Sequence, residues 1–527
     1  MTTAQTTTQT TAQTTAQTTV PARPPREAQV PPPGEPYADI VETHTSVLVF
    51  VGGLVYKGKK PVTFPFLDLS TQAARLENCL RELELNRRFS PDVYLGLSEI
   101  LPMFLPGAIG EPVLVMRRMP RIRRLSALLA AGQDVRPWLA DIARQLAALH
   151  ARELPAEGYD LARTMGELWR EGREQLVPFD AVVLPRADLD AVAALAREYL
   201  AGRRDLLDRR ESAGYVRPGH GDLLSEDIFC LDDGPRLLDC LEFDERLRTG
   251  DTLLDAAFLA MDLEAHGDPS AGRWFLDRYR RDAGCDAPAS LDHHYIAYRA
   301  FVRAKVECLR HRQGAAGALA AASDMLGLCR RHLDAGRVRL LLLGGLPATG
   351  KSTVARTLVD NDPVGRQWLL LSSDAVRKEL AGLPAEASYA APYRRGLYRP
   401  SWTDLTYDEL LRRAQVALRQ GLNVVIDASW SRARHRQQAH RAASAASATL
   451  TEVRCEAPLD VCAERIRTRR DGASDADVGV LAAMSADYDH WPQAHAVQTT
   501  ATPEAAARAA LTLVSAAPLP EEKAGDE

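Results

Sequence analysis

The sequence predicts a two-domain protein, an α+β domain followed by an α/β domain that is built on a parallel sheet. The chain has 527 residues, too many for one ordinary domain, and its apolar content of 46% is enough for real cores. Before residue 336, hairpin strands lead into long helical stretches, whereas strands and helices alternate after it. A glycine-rich loop separates the first strand of the second part from its first helix.

The two ends of the chain have compositions that favour disorder. Residues 1–36 are Thr/Gln/Ala repeats followed by a proline-rich run, which cannot bury a core. Residues 516–527 predict a second, frayed tail. We therefore expect two folded domains, at 37–335 and 336–515.

Composition excludes several classes of protein. The net charge of −5 argues against a protein whose main task is to bind nucleic acid. The eight cysteines include no Cys-x-x-Cys pair, which argues against a zinc knuckle or a thiol redox motif. Scattered cysteines suit a reducing cytosol, and no apolar run approaches the length of a membrane span. We therefore expect a cytoplasmic protein without a membrane segment.

The first domain is predicted to begin near Val41 with a hairpin, whose strands 46–51 and 54–59 are joined at Gly52 and Gly53. A loop region around His220 interrupts the helices that follow the hairpin. The later elements are expected to be a charged helix, a strand, a mostly helical region, a short strand and further helices: 71–87, 112–119, 124–215, 236–240 and 252–333.

Three carboxylates in this loop region have an order that suits phosphoryl transfer. Asp222 ends the segment His-Gly-Asp at 220–222, Asp227 follows five residues later, and Asp239 ends the predicted short strand. In a protein-kinase-like fold one carboxylate accepts the proton of the substrate hydroxyl, while two other residues hold Mg²⁺. An ordinary surface turn is the alternative for residues 220–222.

A lysine and a glutamate far upstream complete the pattern of a kinase-like site. Lys57 lies in the second hairpin strand, and Glu82 lies in the charged helix. A lysine at such a place grips the α- and β-phosphates of the nucleotide. Two alternatives stay open, because Lys59 shares the strand face of Lys57 and Glu84 competes with Glu82 in an ordinary solvated helix.

Residues 41–335 resemble the aminoglycoside phosphotransferase and choline-kinase-like superfamily. The resemblance is carried by LVYKGKKP, VLVMRRMP, IARQLAALH, HGDLLSEDIF and the segment LLDCLEFDERLRTGDTLLDAAFLAMDL. It implies that Asp222 is the catalytic base and Asp239 a Mg²⁺ ligand. Asp227 stands where the family usually has a metal-binding Asn; the departure adds negative charge and leaves a possible metal ligand.

The second domain opens with a phosphate loop. Residues 345–352 match the pattern G-x-x-x-x-G-K-[ST], between a predicted buried strand at 338–343 and a predicted helix at 352–359. Lys351 would reach the β- and γ-phosphates of ATP, and the Ser352 hydroxyl would ligate Mg²⁺. A chance glycine-rich turn is the alternative. The predicted nucleotide-binding residues are Gly345, Leu346, Pro347, Ala348, Thr349, Gly350, Lys351, Ser352 and Thr353.

The remainder of the second domain alternates strands with helices. The expected strands are 368–371, 423–427 and 449–455, and the expected helices are 374–381, 404–420, 431–446 and 458–470. This alternation predicts a parallel sheet with helices on both faces.

Residues 337–515 resemble the small P-loop kinases, including gluconate kinase and the kinase domain of polynucleotide kinase, on the segments SSDAVRK, NVVIDAS and ERIRTRRDGASDAD. The resemblance implies that Asp374 activates the acceptor hydroxyl and that Arg377 contacts the substrate or the transferring phosphate. A helix N-cap is a further role for Asp374. Asp427 ends a predicted strand, at the edge where open α/β sheets bind ligands.

Two arginines and one loop complete the predicted second site. Arg465 and Arg469 are four residues apart on one helical face, which matches a lid that clamps phosphates. A solvated basic helix is the alternative. Residues 389–402 are a candidate wall of the acceptor pocket, with a purely structural role as the alternative.

The whole arrangement resembles bacterial proteins described as bifunctional aminoglycoside phosphotransferase/ATP-binding proteins. The leading hypothesis is an ATP- and Mg²⁺-dependent kinase with a small-molecule hydroxyl acceptor. A nucleotide-binding regulatory protein is the alternative, with a non-catalytic upstream domain and slow ATP hydrolysis in the second domain. A polynucleotide end-kinase is disfavoured by the balanced charge and the lack of a basic groove interleaved with aromatic residues.

Overall fold

The computed structural model describes residues 30–64, 67–100, 110–179, 186–363, 365–384, 392–468 and 476–516. Most of the two predicted tails and the candidate residue Arg469 lie outside these ranges. The described chain falls into two units: unit 1 takes in residues up to 154, 218–250 and 262–283, and unit 2 takes in 155–217, 251–261 and the residues from 284 onward.

The strands are β1 Ala38–Glu42, β2 Ser46–Val51, β3 Leu54–Lys59, β4 Thr63–Phe64, β5 Leu67–Asp68, β6 Tyr94–Ile100, β7 Glu111–Arg117, β8 Val216–Pro218, β9 Ile228–Leu231, β10 Gly234–Leu237, β11 Thr249–Asp251, β12 Arg339–Gly344, β13 Trp368–Ser372, β14 Asn423–Asp427, β15 Thr449–Glu456 and β16 His495–Gln498. The helices are α1 Gln72–Arg87, α2 Leu125–Ala130, α3 Arg136–Arg152, α4 Leu161–Leu176, α5 Arg186–Gly202, α6 Arg204–Ser212, α7 Glu245–Arg248, α8 Thr252–Ala265, α9 Pro269–Ala283, α10 Ala289–Arg312, α11 Ala318–Ala335, α12 Lys351–Asp360, α13 Ser373–Leu380, α14 Pro400–Arg419, α15 Ala433–Ala445, α16 Leu459–Thr468, α17 Val478–Ala486 and α18 Pro503–Ala516.

Unit 1 contains an antiparallel sheet with the strand order β1-β2-β3-β7-β6. The predicted hairpin is confirmed, since Val51 pairs with Leu54 across the two glycines. Helix α1 begins where the sequence predicts, because the Thr71 side chain accepts a hydrogen bond from the backbone N–H of Ala74 and caps the helix. The sequence did not predict β1 or β6, and the ordered sheet therefore starts earlier than Val41.

The sheet of unit 1 packs against α1. Cys79 and Leu83 of the helix join Val55, Leu114 and Met116 of the strands in one buried cluster. This packing fixes the position of Glu82, which lies between the two helix residues that reach the core.

One predicted strand was wrong in its bounds. The strand expected at 236–240 begins at Gly234 and ends at Leu237, in a hairpin with β9. It cannot continue to Asp239, because that residue has a φ of 63° in the left-handed region, which an extended strand excludes.

Unit 2 contains a parallel sheet with the strand order β13-β14-β12-β15-β16, as the alternation of elements predicts. Leu341 and Leu343 of the central strand pack with α12 and α18. The neighbouring residues Leu340 and Leu342 point to the opposite face and are also fully buried. The sheet is therefore covered on both faces, as predicted.

Unit 2 also takes in helices that precede residue 336, and the boundary predicted there lies inside the unit. The guanidinium of Arg203, at the start of α6, donates to the carbonyls of Leu418, Ala446 and Ser447 at 2.6–2.8 Å. Beside it, Gly202 approaches the chain so closely that a Cβ would lie 2.4 Å from the Ala446 carbonyl oxygen. Within the described ranges, no helix is long and apolar enough to cross a membrane.

Candidate active sites

The carboxyl ends of three parallel strands bring the predicted residues of unit 2 together. Leu343 of β12 and Ser372 of β13 both pair with Asp427 of β14, so the three strands end at the same level. The phosphate loop follows β12, and Asp374 lies in the first turn of α13, directly after β13. Open α/β sheets bind their ligands at this edge.

The phosphate loop curls through three residues with positive φ. Gly345 has a φ of 136°, Ala348 of 62° and Gly350 of 86°. Gly345 needs to be a glycine for a second reason, because a Cβ there would lie 2.5 Å from the Cys455 carbonyl oxygen. The loop leads into the N-terminus of α12 at Lys351, where backbone N–H groups and the helix dipole favour an anion.

The ammonium of Lys351 is available to a phosphate. Among the described residues it has no ion pair, and its hydrogen-bond partner is the carbonyl of Leu346 at 3.5 Å. A lysine that folds back onto its own loop without a carboxylate can turn to a nucleotide without breaking a salt bridge.

Asp374 is half-buried beside this lysine. Burial raises the pKa of the Asp374 carboxyl above its ordinary value, although the charges of Lys351 and Arg377 act in the opposite direction. Asp427 adds to the upward shift. These interactions show that the four predicted residues lie close enough to influence one another.

Arg377 is held in the wall of the site. Its guanidinium donates to the Leu397 carbonyl at 2.9 Å and to the Thr403 hydroxyl at 3.4 Å, and it lies 4.8 Å from the ring centre of Tyr398. The side chain is buried, and its Nε has no hydrogen-bond partner among the described residues. The arrangement presents a buried cation beside Asp374.

The residues around the loop suit a magnesium–nucleotide complex. Asp427 is 5% exposed, and its Oδ1 atom is buried without a hydrogen-bond partner in the described part of the chain. A buried carboxylate oxygen of this kind calls for a cation or a water molecule that is bound to one. Ser352 lies in the first turn of α12 and would supply the hydroxyl ligand.

A cavity next to Asp374 offers room for a small acceptor. Its wall includes Tyr393, Arg394, Tyr398 and Pro400 of the segment predicted at 389–402, of which residues 389–391 lie outside the described ranges. The cavity is lined by Tyr393, Arg394, Tyr398, Tyr407, Ser429, Ser431, Arg432, Arg434, His435 and Met484, among others.

One structural feature beside this cavity was not predicted from the sequence. Trp430 is fully buried and has a φ of 51°, which is strained for a bulky residue. Its backbone N–H donates to the hydroxyl of Tyr407, whose ring stacks on His435 with 4.1 Å between centres. These contacts present Ser429 and Ser431 to the cavity. A tryptophan after a strand carries no signal for a positive φ, so the sequence could not reveal it.

Arg465 lies against the phosphate loop, whereas Arg469 falls outside the described residues. The Nη1 of Arg465 donates to the Ala348 carbonyl at 3.2 Å, and its Nη2 donates to the Thr499 carbonyl at 2.8 Å. Thr499 was not among the predicted residues. The structure therefore brings Arg465 to the loop but leaves the predicted lid of two arginines untested.

The predicted lysine–glutamate pair of unit 1 is present. The Lys57 Nζ lies 2.8 Å from Glu82 and 2.7 Å from Asp239. Glu82 is fully buried, whereas Glu84 is exposed and pairs with Arg81, so Glu82 is the glutamate that faces the site.

A second lysine extends this pair into a network that the sequence did not predict. Lys59 lies 2.6 Å from Glu82 and 2.8 Å from Glu242. Burial alone would raise the pKa of Glu82, but Lys57 and Lys59 outweigh it and bring the pKa below its ordinary value. Lys57 and the alternative lysine, Lys59, therefore both contact the carboxylate of Glu82.

The three predicted carboxylates of unit 1 lie near one another. Burial raises the pKa of Asp227 well above its ordinary value, and the charges of Asp239 and Asp222 raise it further. Lys57 lowers the pKa of Asp239, whose side chain is 49% exposed. Asp227 and Asp239 suit a magnesium ion that takes its other ligands from water and phosphate. Within the described chain, no group of three or more His, Cys, Asp or Glu side chains is arranged as a metal site.

The fold combines a unit that contains an antiparallel sheet with a unit that contains a parallel sheet and a phosphate loop. The C-terminal part is a P-loop domain: residues 340–490 match the family model AAA_33, described as an AAA domain. The N-terminal region is similar to choline kinase and aminoglycoside phosphotransferase structures, as the sequence predicted.

Three mycobacterial proteins place the chain in a family. They are "Uncharacterized protein Rv2004c" and "Uncharacterized protein MT2060" of Mycobacterium tuberculosis and "Uncharacterized protein Mb2027c" of Mycobacterium bovis. Each is 39% identical over 468 residues, which cover 88% of this chain and 93% of the relative. The chain belongs to the family of these proteins.

Solved structures are similar to one part of the chain or the other. A choline/ethanolamine kinase family protein from Mesorhizobium loti is 15% identical, with a TM-score of 0.37, and the match covers 57% of this chain and 92% of that one. The APS kinase CysC of Mycobacterium tuberculosis is 18% identical, with a TM-score of 0.27, and the match covers 34% and 99%. A gluconokinase from Sinorhizobium meliloti is 18% identical, with a TM-score of 0.23, and covers 34% and 91%.

Proposed function

We propose that this protein is an ATP-dependent phosphotransferase, which moves the γ-phosphoryl group of ATP to a hydroxyl of a small molecule at the site of unit 2. One observation carries the proposal. A phosphate loop, whose Lys351 has no ion pair among the described residues, lies at the same edge of the sheet as Asp374 and Asp427, and Lys351 and Asp374 line a cavity there. Phosphoryl transfer needs little covalent help from a protein, so positioning and charge at such an edge can suffice.

The residues of the site divide the chemistry between them. The N–H groups of the loop and the ammonium of Lys351 hold the β- and γ-phosphates and neutralise the charge that moves to the leaving group. Mg²⁺, when bound by the Ser352 hydroxyl and the phosphate oxygens, adds to this neutralisation. Asp374 takes the proton from the acceptor hydroxyl. The oxygen of that hydroxyl bonds to the γ-phosphorus, while the bond between the γ-phosphorus and the β,γ-bridging oxygen breaks and ADP leaves. The raised pKa of Asp374 suits a general base better than an ordinary exposed carboxylate does.

A second function is favoured for unit 1 by one observation. Lys57 is engaged by Asp239, the same residue that the family resemblance assigns to Mg²⁺, and Asp227 replaces the usual Asn. Because Lys57 and Asp239 are engaged with each other, these contacts favour nucleotide binding with little or no turnover in unit 1. In this alternative unit 1 has a regulatory role.

We also propose that the protein is cytoplasmic. All eight cysteines are buried and free, which suits a reducing compartment that also supplies ATP.

An acceptor screen on the full-length protein tests the proposed function. ADP release is measured with ATP, Mg²⁺ and a panel of sugars, sugar acids, amino alcohols and nucleosides, in the wild type and in two matched variants, Asp374→Asn and Asp222→Asn. We expect an acceptor that accelerates ADP release in the wild type and in Asp222→Asn. In Asp374→Asn the acceleration should fall on the order of 10²-fold, because the general base is lost. Acceleration that survives Asp374→Asn and disappears in Asp222→Asn would move the activity to unit 1.

A further inference from the structure

Two consecutive carbonyl groups of the phosphate loop accept hydrogen bonds from side chains that lie outside the loop in the sequence. The guanidinium of Arg465, on α16, donates to the carbonyl of Ala348 at 3.2 Å. The hydroxyl of Thr499, which directly follows β16, contacts the carbonyls of Thr349 and Glu456, and the shorter of the two contacts is to Thr349. Arg465 also donates to the carbonyl of Thr499 at 2.8 Å, so the two side chains form one brace against consecutive residues of the loop.

The brace acts on a part of the loop that is strained. Ala348 has a φ of 62°, a conformation that residues other than glycine adopt rarely and keep only when their surroundings hold them. Arg465 supplies that support at the carbonyl of the same residue. Gly350 packs against both members of the brace, since a Cβ there would lie 3.6 Å from Thr499 and 3.7 Å from Arg465.

The hydrogen bonds of the brace constrain the orientation of the two N–H groups that follow the bound carbonyls, those of Thr349 and Gly350. In a trans peptide the carbonyl of one residue and the N–H of the next point in opposite directions. The Thr349 carbonyl is held toward the Thr499 hydroxyl, so the N–H of Gly350 points away from that hydroxyl. An Ala348 carbonyl that is held by Arg465 orients the N–H of Thr349, which closes the turn to the Leu346 carbonyl at 3.4 Å.

From this geometry we infer that Arg465 is a positioning residue, which orients the phosphate loop together with Thr499, and that it is not a clamp on the γ-phosphate. The inference rests on the proposed function, because it concerns the same nucleotide site. It replaces the lid role that the sequence suggested for Arg465. The two roles differ in their consequences, because an oriented loop serves every nucleotide with a β-phosphate, whereas a γ-phosphate clamp serves ATP alone.

The test compares the affinities of the full-length protein for ADP and ATP, measured by calorimetry in the presence of Mg²⁺. We expect Arg465→Ala to weaken both nucleotides equally, by roughly tenfold, which corresponds to one charge-assisted hydrogen bond. Arg467→Ala is the matched control on the same helix, since Arg467 is 62% exposed and pairs with Glu464. Its affinities should equal those of the wild type.

Two further variants separate orientation from simple charge. Arg465→Lys keeps the cation, but a single ammonium lacks the planar fork that spans both carbonyls, so we expect ADP affinity to stay low. Thr499→Val removes one neutral hydroxyl from a buried side chain and should weaken ADP and ATP alike, by severalfold. Thr499→Val also keeps the test valid if Arg465→Ala does not fold.

Three results would overturn the inference. A loss of ATP affinity with unchanged ADP affinity in Arg465→Ala would make Arg465 a γ-phosphate clamp. Full recovery of both affinities in Arg465→Lys would reduce its role to charge. Unchanged affinities in Thr499→Val would remove the brace. A wild-type protein that bound neither nucleotide would overturn the proposed function and the inference together, whereas the other results leave the proposed function intact.

Discussion

Unit 1 and unit 2 each place a lysine where the phosphates of a nucleotide are predicted to bind, but the surroundings of the two ammonium groups differ. Lys57 stands between Glu82 and Asp239, at 2.8 and 2.7 Å. Lys351 has no ion pair among the described residues and contacts a carbonyl of its own loop. The charge of Lys57 is therefore already balanced by the protein, whereas that of Lys351 is left for a ligand.

The difference follows from how each site is built. The site of unit 2 is organised by the backbone, because the strand register places the phosphate loop, the start of α13 and Asp427 at one edge of the sheet. The site of unit 1 is organised by side chains of opposite charge from β3, α1 and the segment after β10. A backbone site keeps its anion-binding character without a ligand, whereas a nucleotide at the site of unit 1 must compete with Asp239 for Lys57.

We expect the largest effect on ATP turnover from substitutions of the two lysines. Lys351→Met in the full-length protein should lower ATP turnover on the order of 10²-fold or more, because a charge-assisted phosphate contact is lost in the transition state. Lys57→Met should leave turnover within about twofold, since Lys57 belongs to unit 1 and the proposed transfer site belongs to unit 2. ADP release under saturating ATP measures both.

Each variant is checked for folding by its thermal unfolding curve. Lys59 still pairs with Glu82 after Lys57→Met, so the network keeps one cation. If Lys57→Met abolished turnover and Lys351→Met did not, the contrast between the sites would be reversed.

A second prediction concerns the support of the site in unit 2. Arg203 is buried and binds three carbonyls, so Arg203→Met should lower the free energy of unfolding by about 3 kcal/mol, roughly 1 kcal/mol for each lost partner. Burial lowers the pKa of Arg203 to about 10, which leaves it charged at neutral pH. Denaturant unfolding of the whole protein measures the change.

Arg204 is the matched control for this experiment. It is 51% exposed and pairs with Asp160 and Asp208 at the surface, so Arg204→Met should cost less than about 0.5 kcal/mol. Equal effects of the two variants would show that the helices before residue 336 do not support the parallel sheet.

The smallest effect is expected for the carboxylates of unit 1 and concerns the free energy of unfolding. The pKa of Asp227 is raised in the folded protein, so the folded state binds its proton more tightly than the unfolded state does. This contribution to stability is complete below the ordinary pKa of 3.8 and is lost as the pH rises through the folded pKa. Asp227→Asn should therefore stabilise the protein at pH 8 in metal-free buffer, on the order of 1 kcal/mol, and less at pH 5.

Two comparisons check the cause of this effect. Asp232→Asn changes a side chain that is 96% exposed and should leave stability unchanged at both pH values. Adding Mg²⁺ should stabilise the wild type more than Asp227→Asn, because metal binding relieves the repulsion among the carboxylates. A destabilised Asp227→Asn at pH 8 would argue that the carboxylate is favourably held.

The sequence by itself determined the features that depend on local pattern. The hairpin of unit 1, the cap of α1 at Thr71 and the parallel sheet of unit 2 all follow from short-range periodicity and turn chemistry. The phosphate loop could be predicted because the spacing of its glycines, lysine and serine corresponds directly to the positions where the backbone curls. Asp374 and Asp427 could also be predicted, since Asp427 ends a strand and Asp374 lies in the first turn of the helix that follows one.

The charged side chains that contact each other could be identified only from the tertiary structure. Lys59 and Glu242 are separated by 183 residues, and Arg465 and Ala348 by 117, so no local pattern could join them. The left-handed conformation of Asp239 shortened a predicted strand, because the contacts of Lys57 and Tyr94 hold it after the turn. Long-range partners are chosen by packing, which a spacing rule does not contain. For this reason the sequence could indicate the candidate residues of both sites, but it could not show that Lys57 is engaged in ion pairs whereas Lys351 has none among the described residues.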